Sequence, residues 1–460
     1  MNAGASARGR DRPPSQTIVA AATPPGRGGI AIVRLSGPTV PIIAEVMLGA
    51  MPLPRRATRA SFANLDDGIA LFFPAPHSYT GEHVLELHGH GGPVIVEALI
   101  ARAVSLGARR AQPGEFTQRA YLNGKIDLVQ AEAVADLIDA ASQSAATAAL
   151  RSLQGEFSQR VRSLGEALAA LRVQVEAAID FSEEDFESLP DAALQRQLEP
   201  IAQQLAALQS IGVQGRLLTE GMTIVIAGAP NAGKSTLLNR LVGHEAAIVT
   251  PLPGTTRDVL RERIQIDGMP LQILDTAGLR AHAGDAIEAE GMRRAQIAMA
   301  QADRILFVLD AAADPEGHAY EAEQARLPAQ VPVTLVFNKI DLCAAGAPVA
   351  TAQSGAGLPS VALSARTGEG LEALREHLKS VAGFVQGGEG VISARARHLE
   401  ALARCAGHLE RVRVLLDDRS GRELIAEELR GASAALGEII GTESPDELLG
   451  RIFASFCIGK

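Results

Sequence analysis

Gly228-Ala229-Pro230-Asn231-Ala232-Gly233-Lys234-Ser235 fits G-x-x-x-x-G-K-[ST], the loop that wraps a nucleotide's phosphates. The apolar run at residues 223–227 reads as a buried strand, and residues 235–241 read as the first turns of an amphipathic helix. In that setting glycines let backbone N–H groups point at anionic oxygens, and the helix N-terminus adds partial positive charge. Lys234 is then placed to reach the β and γ phosphates, and Ser235, followed by Thr236, to hold Mg²⁺ through its hydroxyl. Alone, the stretch is also compatible with a glycine-rich turn between a strand and a helix.

Three further motifs remove that alternative. Asp275-Thr276-Ala277-Gly278 follows the apolar run at 271–274. A carboxylate at a strand end is where the outer shell of Mg²⁺ sits in P-loop proteins, and the glycine N–H can sense the γ-phosphate. Asn338-Lys339-Ile340-Asp341 follows the run at 333–337. Asp341 can accept from both N1–H and N2–H₂ of guanine, whereas adenine would leave it unpaired. Such a site rejects the wrong ligand by roughly 10⁴-fold. Ser364-Ala365-Arg366, after residues 360–363, fits the loop that cups the base oxygen. Four motifs in order, each at a strand end, point to guanine nucleotides; ATP is the weaker reading.

The chain has 460 residues, 47% hydrophobic and 21% charged, a length for two to four domains with a large core. A net charge of −10 means that a nucleic-acid partner would dock on a local basic patch or through a second protein. Cys343, Cys405 and Cys457 are odd in number and widely spaced, which argues against a disulfide framework and fits a reducing cytoplasm. No apolar run approaches the ~20 residues needed to span a bilayer, so no membrane role is expected. Residues 1–16 lack the apolar core of a secretory signal and read as a disordered extension. His83, His88 and His90 alternate along a strand without a further ligand cluster, which favours structural or pocket roles over zinc.

Texture divides the chain. Residues 17–125 alternate β-like runs (30–35, 69–73, 84–88) with glycine-rich turns and a helical stretch at 93–106, an α+β module. Residues 126–219 carry Ala, Leu, Gln and Glu at helical spacing, with the acidic run Glu183-Glu184-Asp185 as a solvated turn. Residues 220–383 carry the strand–helix alternation of the nucleotide module, and helical texture returns over 384–460. The expected architecture is an N-terminal α+β module and an all-α domain split in sequence, with an α/β Ras-like P-loop GTPase domain inserted into it.

Specific stretches resemble the bacterial tRNA-modification GTPase family called MnmE or TrmE. They are residues 22–30, Ala-Thr-Pro-Pro-Gly-Arg-Gly-Gly-Ile; 79–92, starting Tyr79-Thr80-Gly81-Glu82; 113–125, starting Pro113-Gly114-Glu115-Phe116-Thr117; Gly254-Thr255-Thr256-Arg257-Asp258; and Phe456-Cys457-Ile458-Gly459-Lys460. The resemblance covers nearly the whole chain beyond the N-terminal extension. It implies a cytoplasmic homodimer that acts on tRNA with an FAD-containing partner, MnmG (GidA), in a heterotetramer-type complex. The reaction it implies modifies carbon 5 of the wobble uridine with a tetrahydrofolate one-carbon unit, to a carboxymethylaminomethyl- or aminomethyl-type product. It also implies that Arg34, Glu86, Lys125 and Lys460 bind a formyl- or methylene-tetrahydrofolate. Thr250, Pro251, Leu252, Pro253, Gly254, Thr255 and Thr256 would form switch I against GTP, with Thr256 joining Ser235 on Mg²⁺. Asn231, Thr250, Leu252 and Thr255 would hold K⁺, in place of an arginine finger. Leu279 stands where Ras-like enzymes carry a water-orienting glutamine, and the resemblance gives that role to Glu288; its bland alternative is a solvent-facing helix residue. Cys457, fourth from the end, is not followed by a prenylation pattern. A regulatory ribosome-assembly GTPase is the competing class, and the absence of a basic RNA-binding flank argues against it.

Overall fold

The computed structural model describes residues 16–180, 191–244, 261–275, 296–343, 357–384, 390–418, 421–442, 446–454 and 456–459. The expectations placed on residues 1–15 and on the acidic run at 183–185 fall outside them. The chain divides into two compact units, residues 1–135 with 436–460, and residues 136–435.

The first unit is built on a six-stranded sheet: β1 (Ile18–Ala21), β2 (Gly28–Ser36), β3 (Thr58–Phe62), β4 (Asp66–Phe73), β5 (Val84–Gly91) and β6 (Arg109–Arg110), in the order β3-β4-β5-β2-β1-β6. All pairs are antiparallel except β1 with β6. Side chains alternate across a strand, and this decides what each face carries. Val33 and Leu35 of β2 and Leu85 and Leu87 of β5 point into the core beneath helices Val40–Leu48 and Pro93–Ser105. Arg34, Glu86 and His88 therefore emerge on the opposite face, and the register sets Arg34 directly across from Glu86.

The end of the chain returns to this unit. Ile452, Phe453 and Phe456 join Tyr121, Leu128 and Ala131 in one apolar cluster. The Gly114 N–H donates to Cys457 O at 3.3 Å, and Ile458 bridges to Pro113. A Cβ on Gly459, which has φ +97°, would lie 1.9 Å from Ala21 O. Only glycine permits that approach.

In the second unit, helix Glu156–Asp180 buries Phe157, Val161, Leu164, Leu168, Leu171 and Val175. Helix Asp191–Thr219 buries Leu194, Leu198, Ile201, Leu205 and Leu208, and helix Ala396–Asp417 buries Leu402, Cys405, Leu409, Val412 and Leu416. All three sets alternate steps of three and four, the apolar stripe of a helix that packs along its length. Burial pushes the Cys405 thiol up to about 12, so it serves as a packing group.

The nucleotide module of this unit carries β7 (Met222–Gly228), β8 (Arg261–Ile266), β9 (Met269–Asp275), β10 (Arg304–Asp310), β11 (Val333–Asn338) and β12 (Ser360–Ala362), in the order β12-β11-β10-β7-β9-β8. Only β8 with β9 is antiparallel. The central strands carry near-continuous apolar runs, such as Ile224–Ala227 and Ile305–Leu309, because both faces are covered. β9 lies on one side of β7 and β10 on the other, so the carboxyl end of β7 is the switch point at which such sheets bind ligands. Residues 228–235 sit there. The molecule is thus multidomain, with an α+β module, helices split in sequence and a Ras-like α/β GTPase domain.

Candidate functional site

The phosphate loop leads from β7 into helix Lys234–His244. Asn231 takes φ +64°, a left-handed conformation that asparagine tolerates better than most side chains. Its side chain is exposed at the loop tip. Lys234 Nζ donates to Gly228 O and Ala229 O at 2.9 and 2.7 Å, which holds its ammonium at the loop. Ser235 and Thr236 lie exposed in the first turn of the helix.

Asn338, at the end of β11, ties the two halves of the site together. Its Nδ2 donates to Ala232 O and its Oδ1 accepts from the Ala365 N–H, both at 2.9 Å. Its side chain is buried, and a Cβ on Gly233 would sit 2.2 Å from its Nδ2. Gly233 thus serves this clamp as well as the loop's own turn. Ser364, also buried, donates from Oγ to Asp341 Oδ1 at 2.6 Å and accepts from the Thr367 N–H. Asp341 keeps its second oxygen for a ligand. Ala365 and Arg366 continue this loop, and Arg240 Nη2 donates to Thr367 O.

Sequence reasoning missed one residue here. Asp310, at the end of β10, accepts from Lys339 Nζ at 2.6 Å, while Lys339 takes φ +68°. Burial alone would raise the Asp310 carboxyl. The hydrogen bonds from Lys339 and from the Ala312 and Ala313 N–H groups outweigh it and hold the carboxyl below its ordinary range. The run Ile305–Leu309 before Asp310 was the available signal. Asp310 fixes the path of the Lys339 stem, which Ile340 follows toward Asp341. Asp310→Asn is expected to raise KM for GTP by roughly threefold or more, with kcat at saturation unchanged. Steady-state hydrolysis measures both, and an unchanged KM would contradict the positioning role.

Asp275 ends β9 as expected. Its side chain and residues Thr276, Ala277, Gly278 and Glu288 lie outside the described residues, as do Thr250, Pro251, Leu252, Pro253, Gly254, Thr255, Thr256 and Lys460.

On the outer face of the first unit's sheet, Arg34 Nε donates to Glu86 Oε1 at 2.8 Å. The Arg34 guanidinium lies 5.9 and 5.8 Å from the ring centroids of Tyr79 and Phe116, a cation–π setting. Its Nη1 reaches Gly459 O at 3.5 Å. Glu86 Oε2 meets His88 Nε2 at 3.2 Å, and Tyr79 shares a hydrogen bond with Thr117. The structure therefore brings together Arg34, Glu86 and the backbone of the C-terminal tail. Lys125 donates to Pro76 O instead. Tyr79 and Phe116 lie beside Arg34 without having been singled out in the sequence, whereas His88, for which a structural or pocket role was expected, meets Glu86. His83 lies on Phe72 and accepts from the Ala75 N–H, and His90 pairs with Asp66. The three histidines thus have separate partners, and no metal-binding cluster occurs among the described residues. Nor is any described helix long and apolar enough to cross a membrane.

Comparison with known proteins gives concordant matches. A family model described as the MnmE helical domain matches residues 128–457, and one described as the GTP-binding protein TrmE N-terminus matches residues 17–125. The tRNA modification GTPase MnmE of Alkalilimnicola ehrlichii is 53% identical over 450 residues, 96% of this chain and 99% of that one. The protein of that name in Pseudomonas syringae is 54% identical over 457 residues, 97% of this chain and 99% of that one. In Methylococcus capsulatus the figures are 51% over 453 residues, 97% and 99%.

Proposed function

Because the chain belongs to the MnmE family of tRNA-modification GTPases, we propose that its GTP hydrolysis is stimulated by K⁺ and coupled to modification of carbon 5 of the wobble uridine of certain tRNAs. The protein is a GTP-hydrolysing enzyme. The observation that carries the guanine assignment is the clamp in which Asn338 joins the phosphate loop to the Ser364–Ala365 loop, with Ser364 orienting Asp341.

In this reading the loop N–H groups and Lys234 bind the phosphates, and Asp341 reads the guanine edge. The exposed hydroxyl of Ser235 at a helix N-terminus fits a Mg²⁺ ligand, with Thr256 completing the set. Bound Mg²⁺ supplies charge neutralisation on the phosphate oxygens. The exposed Asn231 amide offers a neutral oxygen that fits K⁺, with Thr250, Leu252 and Thr255 as the other ligands. Bound K⁺ supplies the positive charge that an arginine finger gives elsewhere. Glu288 orients the attacking water.

Arg34 and Glu86 are the proposed folate ligands, with Lys125 and Lys460. Glu86 already accepts from Arg34 and His88, but a carboxylate has about four lone-pair directions, so it can still pair with the donor edge of a pterin. Tyr79 and Phe116 offer aromatic surface beside it. The folate provides the one-carbon unit. The FAD-containing MnmG (GidA), a homodimer of this chain, and a cytoplasmic setting complete the proposal. So does a four-part chain: an extension (1–16), a folate-binding and dimerisation module (17–125), a split helical domain (126–219 and 384–460), and the GTPase domain (220–383).

The test is hydrolysis in KCl against NaCl at equal ionic strength. About tenfold faster turnover in KCl is expected, with Asn231→Ala abolishing the difference while GTP binding persists. Equal rates in both salts would remove the K⁺ reading.

A further inference from the structure

Arg55 holds a backbone conformation that few arginines adopt. Its φ is +58°, in the left-handed region where residues with a Cβ are disfavoured unless their surroundings hold them. The surroundings do so. Pro54 bridges to Phe72, and the Arg55 N–H donates to Phe72 O at 2.8 Å. From this turn the guanidinium reaches the next loop, where its Nη2 donates to His77 O at 2.8 Å.

Lys125 comes to the same loop, its Nζ donating to Pro76 O at 3.1 Å. Two cations therefore stand on consecutive carbonyls, and neither has an ion-pair partner among the described residues. Both side chains are exposed. A lysine carries three donors and an arginine five, so each retains hydrogen-bonding capacity after its carbonyl contact. Like charges held this close favour an anion that bears more than one carboxylate or phosphate.

The same loop leads to the Arg34–Glu86 site. Asn123 Nδ2 donates to Thr80 O at 2.7 Å, and Lys125 Cδ lies 3.5 Å from where a Cβ on Gly81 would stand. Tyr79 presents its ring to Arg34. His77 and Tyr79 are two residues apart, at most about 7 Å of chain. The cation pair thus stands at one end of this loop and the aromatic, hydrogen-bonding site at the other.

We propose that Arg55 and Lys125, braced on His77 O and Pro76 O, form a subsite for the γ-linked glutamates of a polyglutamylated folate whose ring system occupies the Arg34–Glu86 end. This rests on the folate reading above. Each added glutamate contributes one carboxylate, so the subsite selects the long-tailed form of the cofactor. A tRNA phosphate would satisfy the same charges, but it would make no use of the adjoining Tyr79–Glu86 surface.

The test is calorimetry on the full-length protein at low salt, with 5-formyl-tetrahydrofolate as its monoglutamate and as its pentaglutamate. The pentaglutamate is expected to bind about tenfold more tightly, and raised salt should narrow the gap. Asparagine tolerates the left-handed conformation, so Arg55→Asn should keep the fold. It should leave monoglutamate affinity unchanged and close most of the gap, and Arg55→Lys should restore part of it. Equal affinity of the two forms for the unaltered protein would overturn the subsite while leaving the folate reading standing. Failure of the monoglutamate to bind at all would overturn both. An Arg55→Asn protein that keeps the gap but loses tRNA in a filter-binding assay would reassign the cation pair to RNA.

Discussion

Asp341→Asn is expected to weaken GTP binding by about 10³-fold or more and to confer binding of xanthosine triphosphate. The geometry gives the reason. Ser364 donates to Asp341 Oδ1 and so orients the carboxylate, leaving the remaining lone pairs for the two donors on the guanine edge. An asparagine would turn one of those acceptors into an NH₂ group facing a ligand donor. Xanthine carries a carbonyl at that position and accepts what guanine cannot. Competition of each triphosphate against a fluorescent GDP on wild type and variant measures the exchange. A variant that keeps its preference for GTP would place base recognition elsewhere.

Glu288→Ala is expected to lower kcat by about 10²-fold or more with little change in GTP affinity. Leu279 cannot orient water, so a polar group beyond it must. Two acids at the carboxyl edge of this sheet have other partners: Asp310 is bound to Lys339, and Asp341 is held by Ser364. In the proposed reading Lys234 binds the phosphates and Ser235 holds Mg²⁺. The family resemblance gives that role to Glu288, in the loop after Asp275. Single-turnover phosphate release at saturating GTP reads the chemical step directly. Wild-type turnover in the variant would move the role to another residue of that loop.

How much was legible depended on whether the chemistry is local in sequence. The phosphate loop, Asn338–Asp341 and Ser364–Arg366 are short motifs at strand ends, and the sheet carries them in the expected places. Strands at 30–35, 69–73, 84–88, 223–227, 271–274 and 333–337 reappear within a few residues of their expected bounds. The 93–106 helix ends one residue early, at Ser105. β1, β3, β6, β8 and β10 were not foreseen. β6 has only two residues, and β8 carries the polar Arg261-Glu262-Arg263. β10 is apolar from Ile305 to Leu309, a pattern that fits a buried strand or helix equally.

The contacts that no motif announces join residues far apart in the chain. Asp310 meets Lys339 across neighbouring strands. Arg34 meets Glu86 through strand register, and Gly459 through the return of the chain's end. The left-handed turn at Arg55 is set by β4 and by a loop more than twenty residues away. Register and chain return are properties of the packed molecule, and a linear pattern does not contain them.

The proposed role of this GTPase is modification of carbon 5 of the wobble uridine of tRNA. Mass spectrometry of nucleosides from tRNA tests it most directly, comparing a strain that lacks the protein with the same strain carrying wild type or Glu288→Ala. Loss of carboxymethylaminomethyl- and aminomethyl-type uridines in the deletion, restored by wild type and not by Glu288→Ala, is the expected result. An unchanged content of these nucleosides in the deletion strain would contradict the account.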